Sequence, residues 1–167
     1  LSLGTWGLSG EGYGAVSAAE ADAVLDRAVQ LGINLYETSD AYNRGEMLTR
    51  LGQRLASTPN AYVAVRVGID RSDESQPKKN FDPAYLREAV AKAGEKLKRS
   101  RIDIVLLHNP SVSVVERGEA TGTLEDLRRV GEIGAWGVSA GSREVAVAAL
   151  ESGTHVLSIA YNLFHSQ

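Results

Sequence analysis

Short apolar segments alternate with longer amphipathic segments along the chain, and the changes fall at Gly, Pro, Asn and Asp. The short segments have the lengths of β-strands and lie at residues 1–6, 33–37, 62–67, 102–107, 135–138 and 156–159. Strands that are apolar on both faces and separated by helices pair in parallel, because parallel partners need a crossover connection. The alternation therefore predicts an α/β fold in which helices cover a parallel sheet.

The amphipathic segments carry helix start signals as well as apolar positions at helical spacing. Ser17 and Glu20 form a capping box, and Asp82 with Pro83 supplies an N-cap followed by Pro at the first helical position. The predicted helices are 18–31, 47–55, 83–97, 123–130 and 142–151, and residues 69–80 are predicted to form a polar loop. Each predicted helix connects two successive strands, as a crossover requires.

Two architectures fit this order of elements: an open doubly wound sheet and a (β/α)8 barrel of the TIM type. Gly10, Gly12 and Gly14 follow the first strand, but their spacing is not the G-x-G-x-x-G of dinucleotide-binding doubly wound folds. About six βα units are present, whereas a (β/α)8 domain has eight units and typically about 250 residues. We therefore expect either two further units outside this sequence, or closure of the bare sheet edges by another chain, as in a homo-oligomer.

The 167-residue chain carries 18 Lys and Arg against 21 Asp and Glu, and its basic residues are scattered rather than clustered. This balance offers no basic surface for nucleic acid or an anionic membrane, so neither is an expected partner. The chain has no cysteine, which excludes a disulfide framework, and its longest apolar runs, such as 104–107, are far too short to span a membrane. We expect a single cytoplasmic domain over residues 1–167.

Polar side chains follow the predicted strands at their carboxyl ends, where both architectures place functional groups. In chain order they are Thr5 and Trp6, Glu37 with Asp40 and Tyr42, Arg66, His108, Ser139, and Ser158. A carboxylate, a phenol, a guanidinium and an imidazole are therefore expected to meet on one rim of the sheet. No second His or carboxylate stands at ligand spacing around His108, His155 or His165, so no metal site is expected.

Five segments of the chain resemble, in order and spacing, those of the aldo-keto reductases. They are LGTWG at 3–7, GINLYETSDAY at 32–42, VRVG at 65–68, IDIVLLHNP at 102–110 and GAWGVS at 134–139. The resemblance implies a TIM barrel that uses NADP to reduce a small-molecule aldehyde or ketone to an alcohol. It also implies that Tyr42 is the proton donor and that His108 orients the carbonyl group.

The same resemblance shows where this chain departs from the family pattern. Glu37 stands where the family has Asp, and Arg66 stands where it has Lys, so both members of the implied ion pair differ. A planar guanidinium can bind a longer carboxylate and still lower the pKa of a nearby phenol. The implied cofactor contacts are Thr5, Ser139 and Ser158. Trp6 is expected either to form a wall of the substrate pocket, as aromatic groups at a barrel mouth often do, or to pack the mouth itself.

Three functions remain open from the sequence. The first is an NADP-dependent reductase in which Glu37 and Arg66 tune Tyr42. The second is an aldo-keto-reductase-like protein without redox activity, which serves as a binding or regulatory subunit or as a cofactor-free acid-base enzyme. The departures at Glu37 and Arg66, together with those at Ala140 and Ser158, where the family has Asn and Gln, favour this second function. Tyr42 and His108, which match the family, favour the first. The third is an assembly module that completes its sheet by self-association.

Overall fold

One curled parallel sheet organises the structure, a computed structural model that describes residues 1–73 and 75–162. The strands in chain order are β1 (Ser2–Gly4), β2 (Leu35–Ser39), β3 (Tyr62–Val67), β4 (Ile69–Asp70), β5 (Lys78–Lys79), β6 (Ile102–His108), β7 (Ile133–Ala140) and β8 (Val156–Ile159). The sheet has the order β1-β2-β3-β6-β7-β8, whereas β4 and β5 form a separate antiparallel pair. Because the strand order never reverses, the sheet is a partial (β/α) barrel and not a doubly wound sheet.

Helices connect the strands, and one of the two predicted caps forms its side-chain hydrogen bonds. The helices are α1 (Ala18–Gln30), α2 (Glu46–Arg54), α3 (Pro83–Leu97), α4 (Val112–Arg117), α5 (Glu119–Arg129) and α6 (Arg143–Glu151). The capping box of Ser17 and Glu20 is present, and the side chain of Ser142 accepts a hydrogen bond at the start of α6. Asp82 precedes α3 without a capping side-chain hydrogen bond. Among the described helices, none is long and apolar enough to cross a membrane.

The two faces of the sheet differ in polarity. The face toward the helices is buried and apolar, with Tyr36, Val63, Val65, Val105, Leu107 and Val138 in the core. The strand register places alternate residues on the inner face, and those near its carboxyl rim include Glu37, Ser39, Arg66, His108, Ser139 and Ser158. The inner face is therefore polar at this rim, where the sequence places functional side chains at the strand ends.

Several element boundaries differ from the predictions. The first strand ends at Gly4, and Trp6 begins a 3-10 turn, although the Thr5 N–H still donates to Glu37 O over 2.9 Å. The second strand continues two residues beyond Glu37, because Ser39 pairs with Arg66 on β3. Helix α4 and the two-residue strands β4 and β5 were not predicted, since segments so short give little periodicity.

Candidate active site

The register of β2 and β3 brings Glu37 and Arg66 together on the inner face. Glu37 pairs with Ala64, two residues before Arg66, so the two long side chains point the same way and are diagonal neighbours. Arg66 Nη2 donates a hydrogen bond to Glu37 Oε2 over 2.7 Å. The longer acid and the guanidinium therefore form an ion pair, and each partner offsets the cost of partly burying the other charge.

Two polar atoms at this rim are buried without a hydrogen-bond partner among the described residues. They are Arg66 Nε and Thr5 Oγ1. Buried donors and acceptors are normally satisfied, and leaving one unpaired costs about 1–3 kcal/mol. Neither atom is accessible to solvent, so a ligand reaches them only if neighbouring groups move. The partly exposed hydroxyl of Ser158 is accessible at this rim, and the residues present are compatible with a bound nicotinamide nucleotide.

Tyr42 lies just beyond β2, in a 3-10 turn (Tyr42–Gly45) with an unusual backbone. Asn43 and Arg44 both have positive φ, at 44° and 56°, a conformation that non-glycine residues adopt rarely. The Tyr42 ring is buried and meets the His108 ring edge to face, with 6.2 Å between ring centroids and an interplanar angle of 87°. The turn therefore directs a buried phenol toward the imidazole.

The pKa of Tyr42 is set by opposing effects. Burial raises it most strongly, the charge of Arg66 lowers it, and the charge of Glu37 raises it. The net direction is upward, so Arg66 acts as expected but does not bring the pKa below its usual value. The phenol is consequently protonated at neutral pH, which is the form that can donate a proton.

His108 is the last residue of β6, and its ring is held by a contact across the barrel. Its Nδ1 lies 3.3 Å from the hydroxyl of Ser39, on β2. Burial, together with the smaller effects of the charges of Arg66 and Lys79, lowers the pKa of His108 to about 4. The imidazole is therefore neutral at pH 7 and carries a single ring proton.

An open cleft of about 570 Å³ lies over these side chains. Its lining includes the predicted site residues Trp6, Glu37, Tyr42, Arg66 and His108. Trp6 is 44% exposed and packs edge-on against Tyr13, with 5.3 Å between ring centroids. The structure thus brings the four residues implied in catalysis and the implied pocket wall together at one opening.

The other wall of the cleft includes residues that sequence reasoning missed. Arg71 donates a hydrogen bond to Glu11 over 2.8 Å and another to Ala41 O over 2.7 Å. The Glu11 and Arg71 side chains therefore tie two loops together at the cleft mouth. No motif marks this pair, because residues 60 positions apart have no fixed spacing in a sequence.

Two of the three residues implied in cofactor binding are neighbours at the rim, because Ser139 and Ser158 pair in register on β7 and β8. Ser158 Oγ lies 3.4 Å from Arg66 Nη2, so it belongs to the ion-pair region. Ser139 is buried beside Asn109, with 3.5 Å between Ser139 Oγ and Asn109 Oδ1. Thr5 is fully buried and directly follows β1. The chain therefore offers two of these hydroxyls on neighbouring strands and the third directly after β1.

Metal ligands are not grouped in the part of the chain that the structure describes. No three His, Asp or Glu side chains there are placed to hold an ion. His155 packs edge-on against Trp136, with 5.6 Å between ring centroids. His165 lies outside the described residues.

The fold and the rim define a partial barrel with a polar site at the carboxyl ends of its strands. The profile of the Aldo/keto reductase family matches residues 1–167, and the chain belongs to that family. A solved structure from Pseudomonas aeruginosa, assigned to the aldo-keto reductases, is 30% identical with a TM-score of 0.84. The alignment covers 98% of this chain and 63% of that one. The comparison confirms the barrel-type fold expected from the sequence.

Curated relatives show the same family over part of their length. The uncharacterised oxidoreductase YqkF of Bacillus subtilis is 32% identical over 121 residues, which are 70% of this chain and 39% of that protein. The NADH-specific methylglyoxal reductase of Escherichia coli is 30% identical over 155 residues, which are 83% of this chain and 47% of that protein. The matched region thus spans less than half of these relatives.

Proposed function

We propose that the chain forms, as a single domain, the proton-donating part of an aldo-keto reductase that reduces a small aldehyde or ketone to an alcohol. One observation carries the proposal: Tyr42 and His108 meet edge to face in an open cleft beside the Glu37–Arg66 ion pair. An acid, a neutral imidazole and a fixed cation are the groups that carbonyl reduction needs around the carbonyl oxygen.

The chemistry follows from charge balance. Addition of hydride to a carbonyl carbon leaves an alkoxide oxygen that must gain a proton. Tyr42 gives its phenolic proton to that oxygen and becomes a phenolate, whose charge Arg66 stabilises. His108, uncharged because its pKa is lowered to about 4, holds the carbonyl oxygen through a ring nitrogen. Trp6 forms the apolar wall of the cleft.

A reduced nicotinamide dinucleotide, when bound, supplies the hydride. We propose that Thr5, Ser139 and Ser158 contact it, because they present hydroxyls at the ends of three strands of the rim. The sequence predicts NADP, whereas the Escherichia coli relative is named as NADH-specific. Both nucleotides should therefore be tested in the assay. The cytoplasmic location expected from the sequence stays a prediction.

The test is a steady-state assay on the purified protein. Oxidation of NADPH and of NADH is followed with methylglyoxal and other small aldehydes. Tyr42→Phe removes only the phenolic oxygen and should lower kcat by about 10²–10⁴-fold, the usual contribution of a general acid. Tyr62→Phe, the same change at the amino end of β3, should leave kcat unchanged.

Two results of this assay would contradict the proposal, one for the role of Tyr42 and one for the redox function. If Tyr42→Phe keeps the wild-type rate, another group donates the proton. If neither nucleotide is oxidised with any carbonyl by the wild-type protein, the redox function is wrong and the binding or acid-base alternative gains support.

A further inference from the structure

The hydroxyl of Ser39 is the centre of a hydrogen-bond cluster that the proposed reaction does not use. Its oxygen accepts from the Ala41 N–H over 3.1 Å. Three acceptors surround it: Arg66 O at 3.0 Å, Asp40 Oδ1 at 3.1 Å and His108 Nδ1 at 3.3 Å. A hydroxyl has one proton to donate, so these three groups compete for it.

The direction of this proton decides how His108 faces the cleft. If Ser39 donates to Nδ1, the single proton of the neutral ring is on Nε2, which can then donate to a carbonyl oxygen. If Ser39 donates elsewhere, Nδ1 carries the proton and donates to Ser39, and Nε2 becomes an acceptor. The tautomer of His108 is therefore coupled to the orientation of one hydroxyl.

Asp40 is the competitor whose strength can change. An ionised carboxylate attracts the hydroxyl proton more strongly than a neutral carbonyl does. A protonated carboxyl can instead donate to Ser39 Oγ, which leaves the serine proton for His108 or Arg66 O. Burial raises the pKa of Asp40 to about 6, so both forms are populated at mildly acidic pH.

Asp40 also lines a second cavity of about 440 Å³ beside α3. The other charged groups lining that cavity are Arg44, Asp70, Arg71, Glu88, Lys92 and Lys96, together with the phenol of Tyr85. The charge of Lys96 lowers the pKa of Asp40, against the effect of burial. Solvent in this cavity can therefore exchange a proton with Asp40 without entering the active-site cleft.

We propose that Asp40, acting through Ser39, sets which ring nitrogen of His108 carries the proton, and so whether His108 donates to or accepts from a ligand in the cleft. Neutral Asp40 favours the Nε2–H form, which suits a carbonyl oxygen. Ionised Asp40 favours the Nδ1–H form, which suits an alcohol hydroxyl. The consequence of this tautomer for catalysis rests on the proposed function. The tautomer itself can be measured in the protein without substrate.

The charged groups that act on His108 itself are Arg66 and Lys79, and its ring meets the phenol of Tyr42. Arg66 and Lys79 lower the pKa of the imidazole and so oppose a second ring proton. Between the pKa of His108, about 4, and that of Asp40, about 6, the ring is neutral while Asp40 is protonated. The Nε2–H form is therefore expected inside this window, and the change of tautomer at its upper end, near pH 6.

The test is long-range ¹H–¹⁵N correlation spectroscopy of the histidine rings in the purified protein, recorded from pH 4.5 to 8 in the absence of substrate. Signals of His108 are assigned by their loss in His108→Gln. The spectrum distinguishes a nitrogen that carries a proton from one that does not. In the wild-type protein we expect the proton to move from Nε2 to Nδ1 as the pH rises through about 6.

Four variants test whether the tautomer of His108 depends on the protonation of Asp40 and on the hydroxyl of Ser39. Asp40→Asn carries an amide N–H that donates to Ser39 at every pH, so the Nε2–H form should persist and the transition should be lost. Ser39→Ala should also remove the transition, whereas Ser39→Thr, which keeps the hydroxyl, should retain it. Asp70→Asn lines the same cavity without a hydrogen bond to Ser39 and should behave as the wild-type protein.

A wild-type tautomer that does not change between pH 4.5 and 8, or a transition that persists in Asp40→Asn, would overturn the proposal. The reductase assay is read separately. Absence of carbonyl reduction together with the expected spectra would reject the proposed function and keep the coupling, and the converse result would reject only the coupling.

Discussion

Arg66 on β3 donates a hydrogen bond to Glu37 on β2 over 2.7 Å, and the two side chains are only 21% and 25% exposed. Removing one charge from an ion pair that is so poorly solvated lowers the free energy of unfolding more than removing one from an exposed pair does. The charge of Glu37 also raises the pKa of Tyr42, while that of Arg66 lowers it. The pair therefore acts on both the stability of the barrel and the acidity of the phenol.

Glu37→Gln tests both effects, because it keeps the size and a hydrogen-bond acceptor while it removes the charge. We expect the free energy of unfolding to fall by about 1–3 kcal/mol, since Arg66 loses its charged partner. We also expect the pKa of Tyr42 to fall, because the negative charge that raises it is gone. Urea unfolding and phenol titration, with Tyr42→Phe to assign the signal, measure the two changes.

Glu88→Gln is the matched control for stability. Glu88 pairs with Lys92 on the surface of α3, where the side chains are 62% and 66% exposed. An exposed pair of this kind contributes only about 0.3–0.5 kcal/mol. If the free energy of unfolding falls equally in the two variants, the Glu37–Arg66 pair stabilises the fold no more than an exposed ion pair does.

Gly137 shows how closely β7 and β8 approach. It pairs with Val156, and a Cβ at Gly137 would overlap Val156 O and contact Leu106. Gly137→Ala should therefore lower the free energy of unfolding by about 1–3 kcal/mol, the usual cost of overpacking. Thermal unfolding measures the change.

Gly122→Ala is the control for Gly137→Ala, because it adds the same methyl group where there is room for it. Gly122 lies in α5, and no atom lies within 4 Å of the Cβ that alanine would add. Alanine is favoured over glycine inside a helix by about 0.8–1.0 kcal/mol, so this variant should be more stable than the wild-type protein. A stabilised Gly137→Ala would mean that β8 is free to move away from β7.

The sequence predicts the strands and helices because apolar spacing reflects which face packs in the core. Tyr62–Val67 and Val156–Ile159 are strands with the bounds that the pattern indicates. The end of β2 is not predicted, because it depends on the pairing of Ser39 with Arg66, a long-range contact that leaves no periodicity. Local pattern therefore determines element type, and register determines which residues reach the rim.

The sequence likewise predicts only part of the candidate site. Tyr42, His108, Glu37 and Arg66 are found together at one cleft, as their positions relative to the strands indicate. Ser39 was not singled out, because its importance lies in a contact with His108, 69 residues away. A serine in a strand has many ordinary roles, and only the three-dimensional register shows which group it meets.

Opposite pKa shifts of His108 and Asp40 predict a pH dependence of stability with two compensating parts. The pKa of His108 is lowered from 6.5 to about 4, so its contribution to stability is present above pH 6.5 and is lost as the pH falls toward 4. The pKa of Asp40 is raised from 3.8 to about 6, so its contribution is present below pH 3.8 and is lost as the pH rises through 6.

Each contribution amounts to up to about 3 kcal/mol, since one pKa unit corresponds to about 1.4 kcal/mol. Because the signs are opposite, the two nearly cancel between pH 4 and 6.5 in the wild-type protein. His108→Gln should remove the part that rises with pH, and Asp40→Asn should remove the part that falls. The stability difference between wild type and His108→Gln should therefore grow with pH, while that between wild type and Asp40→Asn should shrink. Urea unfolding midpoints at a series of pH values measure both differences, and two differences that change with pH in the same direction would contradict the shifts.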